Sequence, residues 1–183
     1  MQALMQRTYQ AIEYFLARRF PTRVTGIWRF ILRMPIWSYN LGFGWMMGGS
    51  VLLLTTTGRV SGQPRHAALG YGRDEPTGEL VVSAGWGGKT DWFRNLVADP
   101  HCTVQTGSRK CAAAARVWPE EEAIAHMRAF IPKNPYAPRM WSHLLGEVIG
   151  LDDEGLRKVV QAFPVVGFKP FDSKPSALRL PDA

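Results

Sequence analysis

The sequence predicts an α+β fold built on a small antiparallel barrel, closed or split, and three observations carry that reading. Short apolar, β-branched runs recur along the middle of the chain, as in residues 50–57 and 79–84. Hairpin chemistry separates them, as in Asp74-Glu75-Pro76-Thr77-Gly78. Segments with helical spacing flank and follow these runs. Strands in succession with a few peripheral helices fit a barrel better than an alternating α/β sheet.

Taken in order, residues 3–19 and 23–33 read as amphipathic helices broken at Pro21. Residues 34–49 read as a connector rich in glycine and aromatics. Six strands are expected, over 50–57, 65–73, 79–84, 101–106, 110–118 and 165–169. A short helix over 91–97, capped by Asp91, sits between the third and fourth strands. Pro119 followed by three glutamates starts another helix, and further helices cover 137–149 and 153–162. Residues 171–183 read as a loose tail.

Composition bounds the function. A chain of 183 residues, 46% of them hydrophobic, suits one domain with a real core. No apolar run reaches the length of a membrane span, and charges interrupt every apolar stretch of the first 33 residues, so neither a span nor a signal peptide is expected. Cys102 and Cys111 have no metal spacing and are expected as reduced thiols on neighbouring strands of a cytoplasmic protein. The first 50 residues hold six arginines and one acid, so +5 of the net +7 belongs to an N-terminal arm. Such an arm packs on the barrel or a second subunit, or lies on an anionic membrane face. Its arginines are spread over turns with no recognition module, so nucleic acid is not an expected partner. The chain has no GxSxG elbow, P-loop, GxGxxG or HExxH spacing, and no metal is expected.

Two loops carry the candidate chemistry. The strand over 50–57 delivers Gly58-Arg59-Val60-Ser61-Gly62-Gln63-Pro64-Arg65. Arginine forks and backbone N–H groups suit phosphate, although a hairpin turn with solvated arginines would read the same way. The next strand delivers Ser83-Ala84-Gly85-Trp86-Gly87-Gly88-Lys89, where glycines let the backbone approach a flat ring and Lys89 can neutralise an anion. A mobile surface loop is the alternative there. Tyr136, Arg139, Trp141 and His143 could line an acceptor pocket or merely pack as an aromatic helix face.

The run Leu53-Leu54-Thr55-Thr56-Thr57-Gly58-Arg59-Val60-Ser61-Gly62-Gln63-Pro64-Arg65, followed by Asp91-Trp92-Phe93-Arg94-Asn95-Leu96 and Ala98-Asp99-Pro100, resembles the deazaflavin-dependent nitroreductase and quinone reductase family. The resemblance implies a six-stranded antiparallel split β-barrel of the flavin-reductase and pyridoxamine-phosphate-oxidase type, with peripheral helices. The barrel would occupy residues 50–170, after an arm and connector over 1–49. It also implies hydride transfer from coenzyme F-420 (8-hydroxy-5-deazaflavin) to nitro, quinone or enone acceptors, with FMN as the alternative ring. The implied cofactor contacts are Thr57, Arg59, Val60, Ser61, Gly62, Gln63, Pro64 and Arg65 on the first loop. On the second they are Ser83, Gly85, Trp86, Gly87, Lys89, Asp91 and Trp92. Tyr71 and Tyr136 become the candidate proton donors, and Trp45, Arg139 and Trp141 the acceptor-lining residues. Members often carry Lys at the place of Val60 and Ser-Lys at the place of Gly85-Trp86. A carrier that binds a flavin-like or lipidic ligand without turnover is the reading of another class. A homodimer is an expected assembly.

Overall fold

A computed structural model of the protein describes residues 27–46, 49 and 51–171. The helix expected over 3–19 and the tail beyond Phe171 lie outside the described residues. The sheet has seven strands, all paired antiparallel: β1 (Val51–Thr57), β2 (Pro64–Gly70), β3 (Gly72–Arg73), β4 (Leu80–Ser83), β5 (His101–Thr106), β6 (Arg109–Val117) and β7 (Val165–Pro170). Their spatial order is β2-β1-β5-β6-β7-β4-β3.

The single strand expected over 65–73 is two strands that serve opposite edges. Gly70 closes β2 against Val51, whereas Gly72 opens β3 against Val81. One residue, Tyr71, therefore joins the two edge strands of the sheet. A sheet whose edges are covalent neighbours has to curl back on itself, and the natural twist of its strands provides the curl. This connection makes the sheet a split barrel.

Strand periodicity then sorts side chains into two cores. Leu52, Leu54, Leu80, Val82, Val104, Val166 and Phe168 face the barrel interior. Val81 and Val165, one residue out of phase with Leu80, Val82 and Val166, face a helical layer. Fully burying each of Leu52, Leu54 and Phe168 is worth about 1.5–3 kcal/mol, so the interior wall is a main source of stability.

Five helices are described: α1 (Ile27–Asn40), α2 (Asp91–Ala98), α3 (Glu120–Phe130), α4 (Ala137–Leu145) and α5 (Asp153–Ala162). Ile124, Met127, Trp141, Leu156 and Val159 from α3, α4 and α5 build the helical core. The side chain of Asp152 caps α5 by accepting the Gly155 N–H at 3.0 Å. α4 stops at Gly146, in the left-handed region at φ 74°, short of the expected residue 149. α1 runs through Pro35 to Asn40, where a connector was expected. Proline disfavours this, but Tyr39 compensates from the far end of the helix. It is buried, its hydroxyl donates to Val51 O at 2.6 Å, and it accepts the Gly107 N–H at 3.3 Å. Beside it, Met34, Trp37, Leu41, Phe43 and Trp45 are exposed.

Candidate functional site

The first loop leaves β1 and turns back at once into β2. The Gly58 N–H donates to Gln63 O at 2.9 Å, and the Gly62 N–H to Gly58 O at 2.7 Å. A Cβ at position 58 would lie 2.8 Å from Ser61 Oγ and 3.0 Å from Gln63 O, so only glycine lets the turn close this tightly. Gly62 has φ 65° and is the turn's left-handed residue. Ser61 Oγ accepts from Arg65 Nη2 at 3.2 Å and from the Gln63 N–H at 3.4 Å, which keeps its own O–H as a donor. Thr57, Gln63, Pro64 and Arg65 are exposed, and Val60 is 90% exposed at the tip.

The second loop follows β4. The Ala84 N–H donates to Pro164 O at 2.9 Å and the Gly87 N–H to Ala84 O at 2.6 Å. A 3-10 turn, Gly87–Lys89, then leads into α2. Thr90, not Asp91, holds the N-cap position of α2, and its side chain makes no capping bond. Its Oγ1 is buried without a partner among the described residues. Lys89 and Ser83 are exposed, while Gly85, Trp86 and Gly87 are half-buried. Trp92 packs beside the interior core and meets Phe93 edge-to-face at 6.0 Å.

α2 ties the loops together. Asn95 is 2% exposed, and its Oδ1 accepts from both the Arg59 N–H (3.2 Å) and Arg59 Nη1 (3.1 Å). Asn95 Nδ2 donates to the buried Thr56 Oγ1 at 3.1 Å. Arg59 Nη1 also donates to Asp91 Oδ1 at 3.0 Å. The Asp91 carboxylate is 85% exposed and lies on a rim that also carries Arg59, Arg65, Lys89 and Arg94. A carboxylate there repels an anion, and Arg59 is the partner that the fold gives it.

The expected proton donors are separated. Tyr71 is half-buried against the interior core, and burial pushes its phenol above the ordinary range, with the charge of Arg73 pulling the other way. It therefore keeps its proton at neutral pH. Tyr136 is exposed at the start of α4 in the helical layer. Arg139 is exposed on the same helix. Trp141 is 3% exposed inside the helical core, on the face of the sheet opposite the barrel interior. Trp45 is exposed after α1. Thr56 and Asn95, the polar residues that organise the rim, are not among the expected ligands. Their signal in sequence was a polar side chain at an interior position of a strand and of a helix face.

A second polar cluster lies where the β3–β4 hairpin meets α3. Glu79, 6% exposed, accepts from Arg116 Nε at 3.0 Å and from Trp118 Nε1 at 2.9 Å. Arg116 continues to Glu122 at 2.7 Å. Bonds to Glu122 and then Glu79 raise its already high pKa. His126 Nδ1 donates to Asp74 Oδ1 at 3.0 Å, and Thr77 donates to Asp74 Oδ2 from its N–H (3.0 Å) and hydroxyl (2.7 Å). Burial pushes the Asp74 carboxyl up, but the bonds from Thr77 and His126 outweigh it and hold the group below its ordinary value. Cys102 and Cys111 are free thiols, and burial pushes Cys102 up to about 12. Among the described residues no group of three or more His, Cys, Asp or Glu could hold a metal, and no helix is long and apolar enough to cross a membrane.

The family model described as F420H(2)-dependent quinone reductase matches residues 34–139. An F420H(2)-dependent quinone reductase of Mycobacterium tuberculosis is 32% identical over 85 residues, which are 45% of this chain and 57% of the relative. The chain thus spans just over half the length of the curated relatives it matches. Among solved structures, an F420-H2 dependent reductase (FDR-A) is 24% identical across 66% of this chain and 94% of its own, with a TM-score of 0.46. A protein of unknown function from Agrobacterium tumefaciens is 17% identical across 82% of this chain and 58% of its own, with a TM-score of 0.49. Both likenesses are loose, and the fold assignment rests on the sheet's own connections.

Proposed function

We propose that this chain, which belongs to the F420H(2)-dependent quinone reductase family, is a reductase that passes hydride from reduced coenzyme F-420 to a quinone-type acceptor. The observation that carries the reading is the rim joined by Asn95, where four cations accompany one carboxylate. Its donors suit an anionic coenzyme: the Arg65 fork, the Lys89 ammonium, the Ser61 O–H and the N-terminal amides of α2. So cationic a rim favours a coenzyme with several anionic groups over FMN with its single phosphate.

The reduced coenzyme, when bound, supplies the hydride. Arg65 and Lys89 would hold its anionic groups, while Gly85 and Trp86 would border the ring and exclude water. An acceptor oxygen also needs a proton. Tyr71 keeps its phenolic proton at neutral pH, and its Oη–H can donate it. Nitro compounds and conjugated enones are acceptors of the same demand. The exposed run Met34, Trp37, Leu41, Phe43 and Trp45, next to the arginine-rich arm, supports association with an anionic membrane face or a second copy. Vesicle sedimentation at low and high salt separates those two, because only the membrane contact weakens steeply with salt.

Turnover is the test. Purified protein mixed with reduced coenzyme F-420 and a soluble naphthoquinone should oxidise the coenzyme faster than protein-free solution does. The protein should accelerate oxidation of reduced FMN, used in its place, by less. Binding without acceleration would make the chain a carrier, and tighter binding of FMN would make it a flavin enzyme.

A further inference from the structure

We infer that Asn95 is a positioning residue that sets the coenzyme loop in its binding shape before any ligand arrives, through a chain of hydrogen bonds, Thr56–Asn95–Arg59, that starts in the core and ends at the part-buried Arg59. This rests on the reading of the 58–65 loop as the coenzyme's anion site. The geometry determines the roles of the atoms. Both Arg59 groups that reach Asn95 are donors, so the atom facing them has to be the amide oxygen. The amide nitrogen then points the other way, to Thr56 Oγ1 at 3.1 Å, in the barrel wall. No other orientation of Asn95 satisfies its partners.

The chain therefore runs from a core strand, through a helix side chain, to the backbone and guanidinium of the loop residue after Gly58. All of Asn95 is buried, so it does not touch a ligand at the rim; it acts through Arg59. By holding the Arg59 N–H and Nη1 together, it fixes where the exposed turn 60–63 begins. A loop held in one conformation binds without the ordering cost that a mobile loop would add. When the binding-competent state is only partly populated, apparent affinity falls in proportion while chemistry from the bound state is unchanged.

Two variants and two readouts test this. Asn95→Ala removes the link. Thr56→Val keeps the shape of the wall and removes only the acceptor at its foot, and Thr56→Ser restores that acceptor. Amide hydrogen exchange on the ligand-free protein should speed up at Arg59 and Gly62 in Asn95→Ala and Thr56→Val, and return in Thr56→Ser. With coenzyme F-420 the same two variants should raise KM for the coenzyme by about tenfold while kcat changes by less than about twofold. A lower melting temperature with unchanged exchange at Arg59 and Gly62 would overturn the inference and make Asn95 merely structural. So would a fall in kcat at unchanged KM. If wild-type protein binds no coenzyme, the functional reading fails, yet the exchange measurement still decides whether Asn95 sets the loop.

Discussion

The two polar clusters at opposite ends of the small hairpin strands treat charge in contrary ways. At the β3–β4 hairpin, Asp74, Glu79 and Glu122 meet Arg116 and His126, and each of these side chains has a hydrogen-bond partner within 3.0 Å. At the rim of β1, β2 and α2, four cations accompany Asp91 alone, and Arg65 and Lys89 are exposed. The first cluster is closed and faces the helical layer. The second is open and cationic. Charges that are paired and buried specify how elements dock, whereas surplus charge held at a rigid, exposed edge is available to a ligand.

Breaking one cluster should therefore leave the other's property intact. The largest effect is expected at the open rim. Arg65→Ala should weaken coenzyme F-420 by about 1.5–3 kcal/mol, the range for a charge-assisted hydrogen bond, with the melting temperature nearly unchanged. A titration showing wild-type affinity alongside a lower melting temperature would make Arg65 structural.

The closed cluster should show the converse. Glu79→Ala leaves the buried Trp118 N–H without its acceptor and Arg116 with one carboxylate fewer. A stability loss of roughly 1–3 kcal/mol is expected, in the lower part of that range because Arg116 is partly solvated and keeps Glu122. Urea denaturation measures it, and coenzyme affinity serves as the control that should not move. A matching loss of affinity would mean that the clusters are coupled.

Asp91→Asn sharpens the contrast from inside the rim. The pair with Arg59 is largely exposed, so its removal should cost the fold little. Removing the carboxylate's repulsion should tighten coenzyme binding by about 0.3–1 kcal/mol, an effect that shrinks as salt rises. Weaker binding at every ionic strength would return Asp91 to the set of ligand contacts.

The smallest effect is one of pH. Asp74 is held below its ordinary value in the folded state, so its contribution to stability is present above the unfolded carboxyl's pKa of about 3.9 and is lost as pH falls through the folded value. Denaturation midpoints recorded between neutral and acid pH should fall less steeply in Asp74→Asn than in wild type. Identical slopes would remove Asp74 from the account of acid stability.

Much of this was legible in the sequence. The apolar, β-branched run Val51–Thr57 marked a strand, and Gly58, Gly62 and Pro64 marked the turn after it, because strand propensity and turn chemistry are local. The two glycine loops, with Arg59, Arg65 and Lys89, carried the family resemblance for the same reason, and they are the loops proposed to hold the coenzyme. Other features were decided only when distant segments met. Residues 34–49 read as a connector, yet α1 passes through Pro35 to a helix end that Tyr39 anchors on β1 and the β5–β6 turn. Trp141 carried the composition of a pocket residue, yet the register of α4 on α3 and α5 buries it. Residues 65–73 read as one strand, and only the pairing of Gly70 and Gly72 with opposite edges revealed the closure at Tyr71. Arg59 looked like its neighbour Arg65, until the fold placed Asn95, 36 residues later, against it. Propensity and turn chemistry act over a few residues, so sequence determines elements and motifs. Which charges end up paired, and which stay available, depends on contacts between residues far apart in the chain, and only the tertiary structure decides those.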